Sequence, residues 1–215
     1  MLVKTASLAI FLNKENGEMT SLDILKNYWE KKGNIYSLIP PENFKRVNWK
    51  DLATFPYAVM SYQWLSKWGP IVKFILSGEK PVKEEYMWID VFCLYQIDPE
   101  KMTTIKRSDE IYENAKEYHL MEIGSLYRGW VLFELASVKK KLLPPSTHLS
   151  NTQDIAVIKG FKIFLETRGF DYCEFTEEAD RALVKTKIIS RYGSVPQFNK
   201  LIVAIVDKLF KSLTK

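Results

Sequence analysis

A single carboxylate, Glu134, lies in the segment SLYRGWVLFELASV (residues 125–138), which is otherwise mostly apolar. The segment predicts a helix with Ser125 as its N-cap. At about 100° per residue, Glu134 shares a stripe with two aromatic and two aliphatic residues, Tyr127, Trp130, Val131 and Val138. A buried glutamate has a raised pKa or a bound partner, and such acids gather at functional sites. A salt bridge to Arg128 or to a lysine of a neighbouring helix is the alternative that this pattern leaves open.

Aromatic and polar side chains are concentrated in a second segment, SYQWLSKWG (residues 61–69). Trp64 and Trp68 could form a stacking platform for a flat ring, with Ser61 and Gln63 as hydrogen-bonding groups. In the other interpretation the two tryptophans simply cover the hydrophobic core. The sequence supports both interpretations equally.

A third segment, WIDVFCLYQ (residues 88–96), places Asp90 inside an apolar run. A buried carboxylate needs a partner because its desolvation is costly. Asp90 either accepts backbone N–H groups at the end of a strand or points into a ligand cleft. We do not expect Cys93 to be a nucleophile, since no histidine is placed to activate it and buried cysteines are usually inert.

The elements that must position these residues follow from the apolar pattern. Runs at 57–62, 86–94 and 117–123 are predicted strands, and helices are predicted at 70–78, at 99–116 and after the third strand. Alternating strands and helices predict an α/β fold with an open parallel sheet and helices on both faces. The carboxyl ends of its strands share one edge, where ligands bind in such sheets.

The regions outside these strands give a predicted division of the chain into three parts. Residues 1–50 form an N-terminal extension with one helix, at 20–32, capped by Thr20 or Ser21. Residues 51–143 form the α/β core. Residues 144–215 form a mainly helical C-terminal portion that packs on this core.

Three helices are predicted in the C-terminal portion. The first spans residues 153–167, and two more follow Thr176, which is a suitable cap for the first of these two. A short strand is expected in FDYCEF, between the first helix and Thr176. At the N-terminus, the apolar run MLVKTASLAIFL favours a first strand or a buried edge segment over a signal peptide.

Composition excludes several classes of protein. The 215 residues include 47% hydrophobic residues, so the chain can form a core. Only two cysteines and two histidines are present, which argues against a disulfide framework and against a metal site. No run approaches the roughly 20 apolar residues of a membrane span. The net charge of +5 comes from scattered lysines and arginines, so nucleic-acid binding is not expected. The two widely spaced cysteines are typical of a reducing compartment, so we expect a cytoplasmic protein.

Four motifs in this order resemble the heterokaryon-incompatibility (HET) domain, a relative of the Toll/interleukin-1 receptor (TIR) fold. The resemblance covers roughly residues 55–138. Its motifs are Ser61-Tyr62-Gln63-Trp64, then Trp88 through Gln96, then Ile111-Tyr112 with Ala115, then Arg128-Gly129-Trp130 with Glu134-Leu135. The resemblance implies a TIR/flavodoxin-like sheet.

The resemblance also implies an activity, the cleavage of NAD+ between nicotinamide and ribose, in defence, cell-death or self/non-self signalling. Glu134 would be the catalytic residue, and NAD+ or a related nucleotide would be the substrate, with no further cofactor. The implied substrate-binding residues are Ser61, Tyr62, Gln63, Trp64, Trp68, Asp90 and Trp130. The implied structural residues of the motifs are Trp88, Cys93, Gln96, Tyr112 and Arg128.

Two other functions remain open from the sequence. Several TIR-like domains are adaptors, so the chain could be a non-enzymatic module that signals through self-association or through a separate sensor protein. An unrelated nucleotide-binding domain is disfavoured, because the sequence has neither a GxGxxG nor a GxxxxGK[ST] phosphate loop.

Overall fold

The computed structural model describes most of the chain, namely residues 1–78, 81–96, 101–138, 142–143 and 152–213. The chain forms two compact units. Unit 1 contains Met1–Met121 and Val138–Ser146, and unit 2 contains Glu122–Ser137 and Thr147–Lys215.

Unit 1 is built on a mixed sheet, which confirms the α/β fold. Its strands in the described part are β1 (Leu2–Lys4), β2 (Phe44–Lys45), β3 (Ala58–Ser61), β4 (Tyr86–Trp88), β5 (Glu117–Leu120) and β6 (Leu142–Leu143), in the spatial order β2-β1-β4-β3-β5-β6. The last four strands in the chain pair in parallel, with Val59 of β3 beside both Trp88 and Tyr118. The predicted strands in this core are confirmed, although each is shorter than its apolar run.

The prediction of a wholly parallel sheet is wrong at one side of the sheet. Strand β1 runs antiparallel to both β2 and β4, with Val3 opposite Met87. Of the predicted first strand only Leu2–Lys4 forms, since Thr5–Leu12 is a 3-10 helix. The strand precedes the first strand–helix–strand unit, so no crossover connection forces it to be parallel.

The helices of unit 1 are mostly short. Among the described residues the α-helices are α1 (Lys14–Gly17), α2 (Ser21–Ile24), α3 (Trp68–Ser77), α4 (Asp90–Cys93), α5 (Lys101–Lys106) and α6 (Ser108–Asn114), and 3-10 helices lie at Thr5–Leu12, Pro41–Asn43 and Trp49–Asp51. Helix α2 continues into a π-helical turn over Leu25–Glu30. Thr20, one of the two predicted caps, is the N-cap of α2 and forms a capping box with Asp23. Gly78 is the C-cap residue of α3, as predicted, while the helix begins at Trp68, two residues before the predicted start.

Two sequence predictions in unit 1 are corrected. The run 86–94 is a strand only as far as Trp88, because the N–H of Cys93 bonds to the carbonyl of Ile89 at 2.8 Å and closes a helical turn. The helix predicted at 99–116 is interrupted at Arg107, whose φ and ψ of −106° and 12° are not helical. The guanidinium of Arg107 is held there by Glu110, at 2.7 and 2.6 Å.

Unit 2 is helical. Its helices in the described part are α7 (Gly129–Ser137), α8 (Thr152–Thr167), α9 (Glu178–Tyr192) and α10 (Val195–Leu213), with 3-10 turns at Ile123–Tyr127 and Phe170–Tyr172. The three predicted C-terminal helices are confirmed. The short strand expected in FDYCEF is reduced to one bridge between Glu174 and Arg128. Among the described residues, no helix is both long and apolar enough to cross a membrane.

Both predicted caps in unit 2 are wrong. Helix α7 begins at Gly129, and Ser125 lies in the preceding 3-10 turn, where its hydroxyl donates to the carbonyl of Glu122. Glu177 is the N-cap residue of α9, and the hydroxyl of Thr176 instead accepts a hydrogen bond from Arg128.

The observed units also differ from the predicted division at residues 50 and 143. Residues 1–50 supply β1 and β2 to the sheet of unit 1 and are not an appended extension. Helix α7, which carries Glu134, belongs to unit 2, because it packs against α9 and α10.

Candidate functional site

The carboxylate of Asp90 joins two of the four motifs at the ends of β3 and β4. Its Oδ1 accepts hydrogen bonds from the hydroxyl of Tyr62 at 2.6 Å and from the N–H of Val91 at 2.7 Å. Its Oδ2 accepts from the indole N–H of Trp64 at 2.7 Å. Asp90 therefore accepts a backbone N–H near the end of a strand, and it also lies at the centre of a side-chain network. The bonds from Tyr62 and Trp64 hold the segment after β3 against the start of α4.

The N-terminal residues complete this network. The hydroxyls of Ser21 and Tyr62 lie 2.9 Å apart, and the N–H of Ser21 donates to the carbonyl of Trp64 at 3.0 Å. Ser21 is fully buried. Sequence reasoning identified Ser21 only as a possible cap, because a contact between residues 41 positions apart leaves no local signal.

A close approach of two glycines holds the same N-terminal region against α3. A Cβ atom on Gly17 would lie 2.7 Å from the carbonyl oxygen of Phe11, and one on Gly69 would lie 3.1 Å from the carbonyl oxygen of Gly17. A side chain at Gly17 would collide with the Phe11 carbonyl, and one at Gly69 would push the Gly17 backbone away by a few tenths of an ångström. This contact positions Trp68 at the first turn of α3. There the backbone N–H of Trp68 donates to the carbonyl of Met19 at 2.9 Å.

Trp68 is a core residue and not an open stacking surface. It is 0% exposed, and its ring contacts Phe11, Tyr62 and Phe92 at centroid distances of 5.5, 5.2 and 4.7 Å. The interpretation in which Trp68 covers the core therefore describes this residue. Its identity alone could not show this, because tryptophan serves equally well in cores and in binding sites.

The other residues of this segment differ in exposure. Ser61 is buried at the end of β3, where its carbonyl accepts the N–H of Met121 at 2.9 Å. Tyr62 is buried, while Gln63 and Trp64 are half-buried. Gln63 and Trp64, like Asp90, are therefore members of the predicted binding set in unit 1 that combine partial exposure with a hydrogen-bonding or ring-binding side chain.

Crowding around Asp90 affects its protonation. Desolvation raises the pKa of the Asp90 carboxyl above 3.8, and the bonds from Tyr62, Trp64 and Val91 partly offset this rise in the pKa. A group whose pKa is higher in the folded state takes up its proton more readily there. Its contribution to stability is therefore largest below 3.8 and is lost as the pH rises through the folded-state pKa.

We expect this effect to appear in a comparison of the wild type with Asp90→Asn, which does not titrate. The free energy of unfolding of the wild type, minus that of the variant, should increase as the pH falls from about 7 towards 4. Urea unfolding curves at a series of pH values measure the difference. If the unfolding free energy of the wild type minus that of Asp90→Asn increased with rising pH, the three hydrogen bonds would lower the pKa of Asp90 in the folded state.

The remaining residues of the WID motif have structural contacts. Trp88 and Tyr112 meet edge to face at 5.5 Å, and the amide of Gln96 donates to the carbonyl of Asp90 at 3.1 Å. The thiol of Cys93 contacts the carbonyl of Met87 at 3.6 Å, and its burial raises its pKa to about 11. A thiol with this pKa is protonated near neutral pH, so the geometry gives no support to Cys93 as a nucleophile.

Unit 2 contains the fourth motif with its own set of contacts. The indole N–H of Trp130 donates to Asp180 at 2.8 Å, and the N–H of Gly129 donates to the carbonyl of Glu174 at 3.0 Å. A Cβ atom on Gly129 would lie 2.0 Å from the ring of Phe175, so glycine leaves room for this ring. The pattern had indicated neither Asp180 nor Phe175, since both lie more than 40 positions further along the chain.

Glu134 lies on α7 and is half-buried, between the buried residues Phe133 and Leu135. It is the only acidic residue of α7. The ammonium of Lys187 lies 5.1 Å from the centre of the Phe133 ring, so positive charge is present near this helix. The structure thus brings the first two motifs together in unit 1, and it places Glu134 and Trp130 in unit 2.

Metal-ligating side chains are not clustered in the part of the chain that the structure describes. There, no group of three His, Cys, Asp or Glu residues could hold an ion. His119 is buried in β5, and its Nε2 lies 3.3 Å from Glu117.

Comparisons with known proteins add no relative to this description. No protein-family model, no curated protein and no solved structure matches the chain.

Proposed function

We propose that the chain is a HET/TIR-like protein that cleaves NAD+ and releases nicotinamide, with Glu134 as the catalytic carboxylate. The observation that carries the proposal is the setting of Glu134, the only acid on a helix whose neighbouring residues are buried and apolar. The side chain of Glu134 is half-buried, and a carboxylate that is partly shielded from water has a larger effect on a developing positive charge than one in bulk water.

The order of the parallel strands supports the proposed fold family. The four parallel strands lie side by side in the order β4-β3-β5-β6. Counted along the chain, this order is second, first, third, fourth. This is the order of flavodoxin-like doubly wound sheets, in which the ligand binds at the carboxyl ends of the first and third strands. In this chain those strands are β3 and β5, and Ser61 ends β3.

The proposed reaction makes limited demands on the protein. The bond between C1′ of the ribose and the ring nitrogen breaks, and its electron pair returns to nicotinamide, which leaves as a neutral molecule. Positive charge develops at C1′ and the ring oxygen, as in glycoside hydrolysis. Glu134 stabilises this charge and holds ribose hydroxyls, and water or a nucleophile of the same nucleotide then adds to C1′ and loses a proton. No strong general acid is needed for such a leaving group.

Replacing Glu134 by glutamine tests the role of this residue. The change keeps the size of the side chain and removes its charge, so we expect nicotinamide release to fall by about 100-fold or more, with little change in helix content. Glu166→Gln is the matched control, since Glu166 is exposed on α8 of the same unit. Equal release by wild type and Glu134→Gln would place the reaction elsewhere.

A non-enzymatic interaction module is the second candidate, and one observation favours it. The carboxylate of Asp90 accepts hydrogen bonds from Tyr62 and Trp64, and Trp68 is fully buried. These motif residues therefore have structural roles that do not require a bound substrate. For this function, self-association measured by sedimentation would be unaffected by Glu134→Gln, and no nicotinamide would be released at any protein concentration.

A further inference from the structure

Four residues of α7 and α9 bring an indole, two carboxylates and an ammonium group to one helix contact in unit 2. Trp130 and Glu134 are one turn apart on α7, and Asp180 and Lys187 are two turns apart on α9, so each pair shares a face of its helix. The two helices pack against each other. All four residues are half-buried, so each keeps part of its surface accessible to a ligand.

Two contacts show which of these groups lie together. The indole N–H of Trp130 donates to Oδ2 of Asp180 at 2.8 Å, and Nζ of Lys187 lies 5.1 Å from the centre of the Phe133 ring. Phe133 directly precedes Glu134 in α7. Asp180 therefore lies at the Trp130 end of the contact, and Lys187 lies at the end that carries Phe133 and Glu134. The seven-residue spacing of Asp180 and Lys187 corresponds to about 10 Å along α9.

The ring of Trp130 is fixed on two sides. Its N–H is bound by the carboxylate of Asp180, and a hydrogen bond to an ionised acceptor is stronger than one to a neutral group. The ring also meets that of Phe133 edge to face, with centroids 6.5 Å apart and an interplanar angle of 78°. A ring held in this way does not need to be ordered when a ligand stacks on it.

The charges at this contact are complementary to those of NAD+. Nicotinamide is a cationic ring while it is bonded to ribose, and a cation is attracted to the face of an indole and to a nearby carboxylate such as that of Asp180. The diphosphate is anionic, and a lysine ammonium binds it as a point charge. With nicotinamide at Trp130 and the diphosphate at Lys187, the ribose between them lies at Glu134, where the proposed reaction needs it.

We propose that Asp180 and Lys187 set the orientation of NAD+ in the site, an inference that rests on the proposed function. Asp180 is a positioning residue, which holds the Trp130 ring so that it stacks on nicotinamide. Lys187 binds the diphosphate at the other end of the contact.

Two probes separate the two ends of the site, because each contains one part of NAD+. 1-Methylnicotinamide has the cationic ring without phosphate, and ADP-ribose has the ribose and diphosphate without nicotinamide. Ligand-observed NMR with the full chain measures the dissociation constant of each probe and requires no cleavage. We expect Asp180→Ala to weaken binding of 1-methylnicotinamide by about tenfold or more and to leave ADP-ribose binding unchanged, and Lys187→Gln to have the opposite effects. Equal effects of both variants on both probes, or no binding of either probe to wild-type protein, would overturn the proposal.

A third variant separates positioning of the ring from a purely structural role of Asp180. In Asp180→Asn the amide oxygen can still accept the indole N–H, so 1-methylnicotinamide should bind within about threefold of wild type. A purely structural role would reduce the folded fraction and weaken both probes alike. Asp171→Ala and Lys200→Gln are matched controls in the same unit, since Asp171 and Lys200 are exposed, and neither should affect either probe. Circular dichroism checks that all variants are folded.

Kinetics with NAD+ separate a failure of this inference from a failure of the proposed function. We expect Asp180→Ala to raise KM by about tenfold and to change kcat by less than about threefold, because the stacked ring contributes to binding of the substrate. If wild-type protein releases no nicotinamide, the proposed function is wrong, and the two probes still decide whether Asp180 and Lys187 bind these groups. If nicotinamide is released but the variants do not separate the probes, only the orientation is wrong.

Discussion

Replacing Asp90 by alanine is expected to lower the free energy of unfolding of unit 1 by about 3 kcal/mol or more. The change leaves the hydroxyl of Tyr62, the indole N–H of Trp64 and the N–H of Val91 without their acceptor. A hydrogen bond of this kind contributes about 1 kcal/mol or more, and three part-buried bonds are lost together. The freed groups also hold Ser21, so the loss extends to the N-terminal region.

Urea unfolding followed by tryptophan fluorescence measures this change in unit 1, because five of the six tryptophans lie there. Asp90→Asn is the control, since its side-chain oxygen can still accept from Tyr62 and Val91 and only the bond from Trp64 is lost. We expect a smaller loss for asparagine than for alanine. A loss below about 1 kcal/mol for alanine would mean that water replaces the carboxylate and that Asp90 does not fix this segment.

Replacing Trp68 by alanine is expected to cost unit 1 about 3–5 kcal/mol, the usual range for deleting a buried aromatic side chain. The ring is fully buried and contacts Phe11, Tyr62 and Phe92, so its removal opens a cavity between the N-terminal region, β3 and α4. The same unfolding measurement follows the loss, with circular dichroism as a second signal because one fluorophore is removed.

Two further variants serve as controls for the loss of stability at Trp68. Trp68→Phe keeps most ring contacts and removes an indole N–H that has no partner among the described residues, so it should cost much less than alanine. Leu65→Ala changes a residue of the same segment that is 67% exposed, and it should change stability by no more than about 0.5 kcal/mol. Similar losses for Trp68→Ala and Leu65→Ala would contradict the assignment of Trp68 to the core.

The elements of the core could be predicted because their signals are local. The apolar run that contains β3 is bounded by Pro56, and Pro70 and Gly78 mark the first turn and the end of α3. Those signals depend on residues a few positions apart, so one sequence is enough to read them. The ends of elements were less predictable, since β4 and α4 share one apolar run and only the backbone bond from Cys93 to Ile89 separates them.

The contacts between distant segments could not be predicted. The bond between Ser21 and Tyr62 and the fit of Phe175 against Gly129 depend on tertiary packing, which leaves no periodicity in the sequence. The direction of β1 was missed for the same reason, because antiparallel pairing of an N-terminal strand has no local signal. Sequence reasoning did identify Asp90 as an acid that needs a partner, and the structure supplies its partners as Tyr62, Trp64 and Val91.

The most direct test of NAD+ cleavage is the quantification of nicotinamide after wild-type protein, Glu134→Gln and Glu166→Gln are incubated with NAD+ over a series of protein concentrations. The concentration series includes conditions under which TIR-like proteins would assemble. We predict that wild type and Glu166→Gln release nicotinamide at similar rates and that Glu134→Gln releases about 100-fold less or none. No release by wild-type protein at any concentration, or equal release by all three proteins, would contradict the proposed role of Glu134.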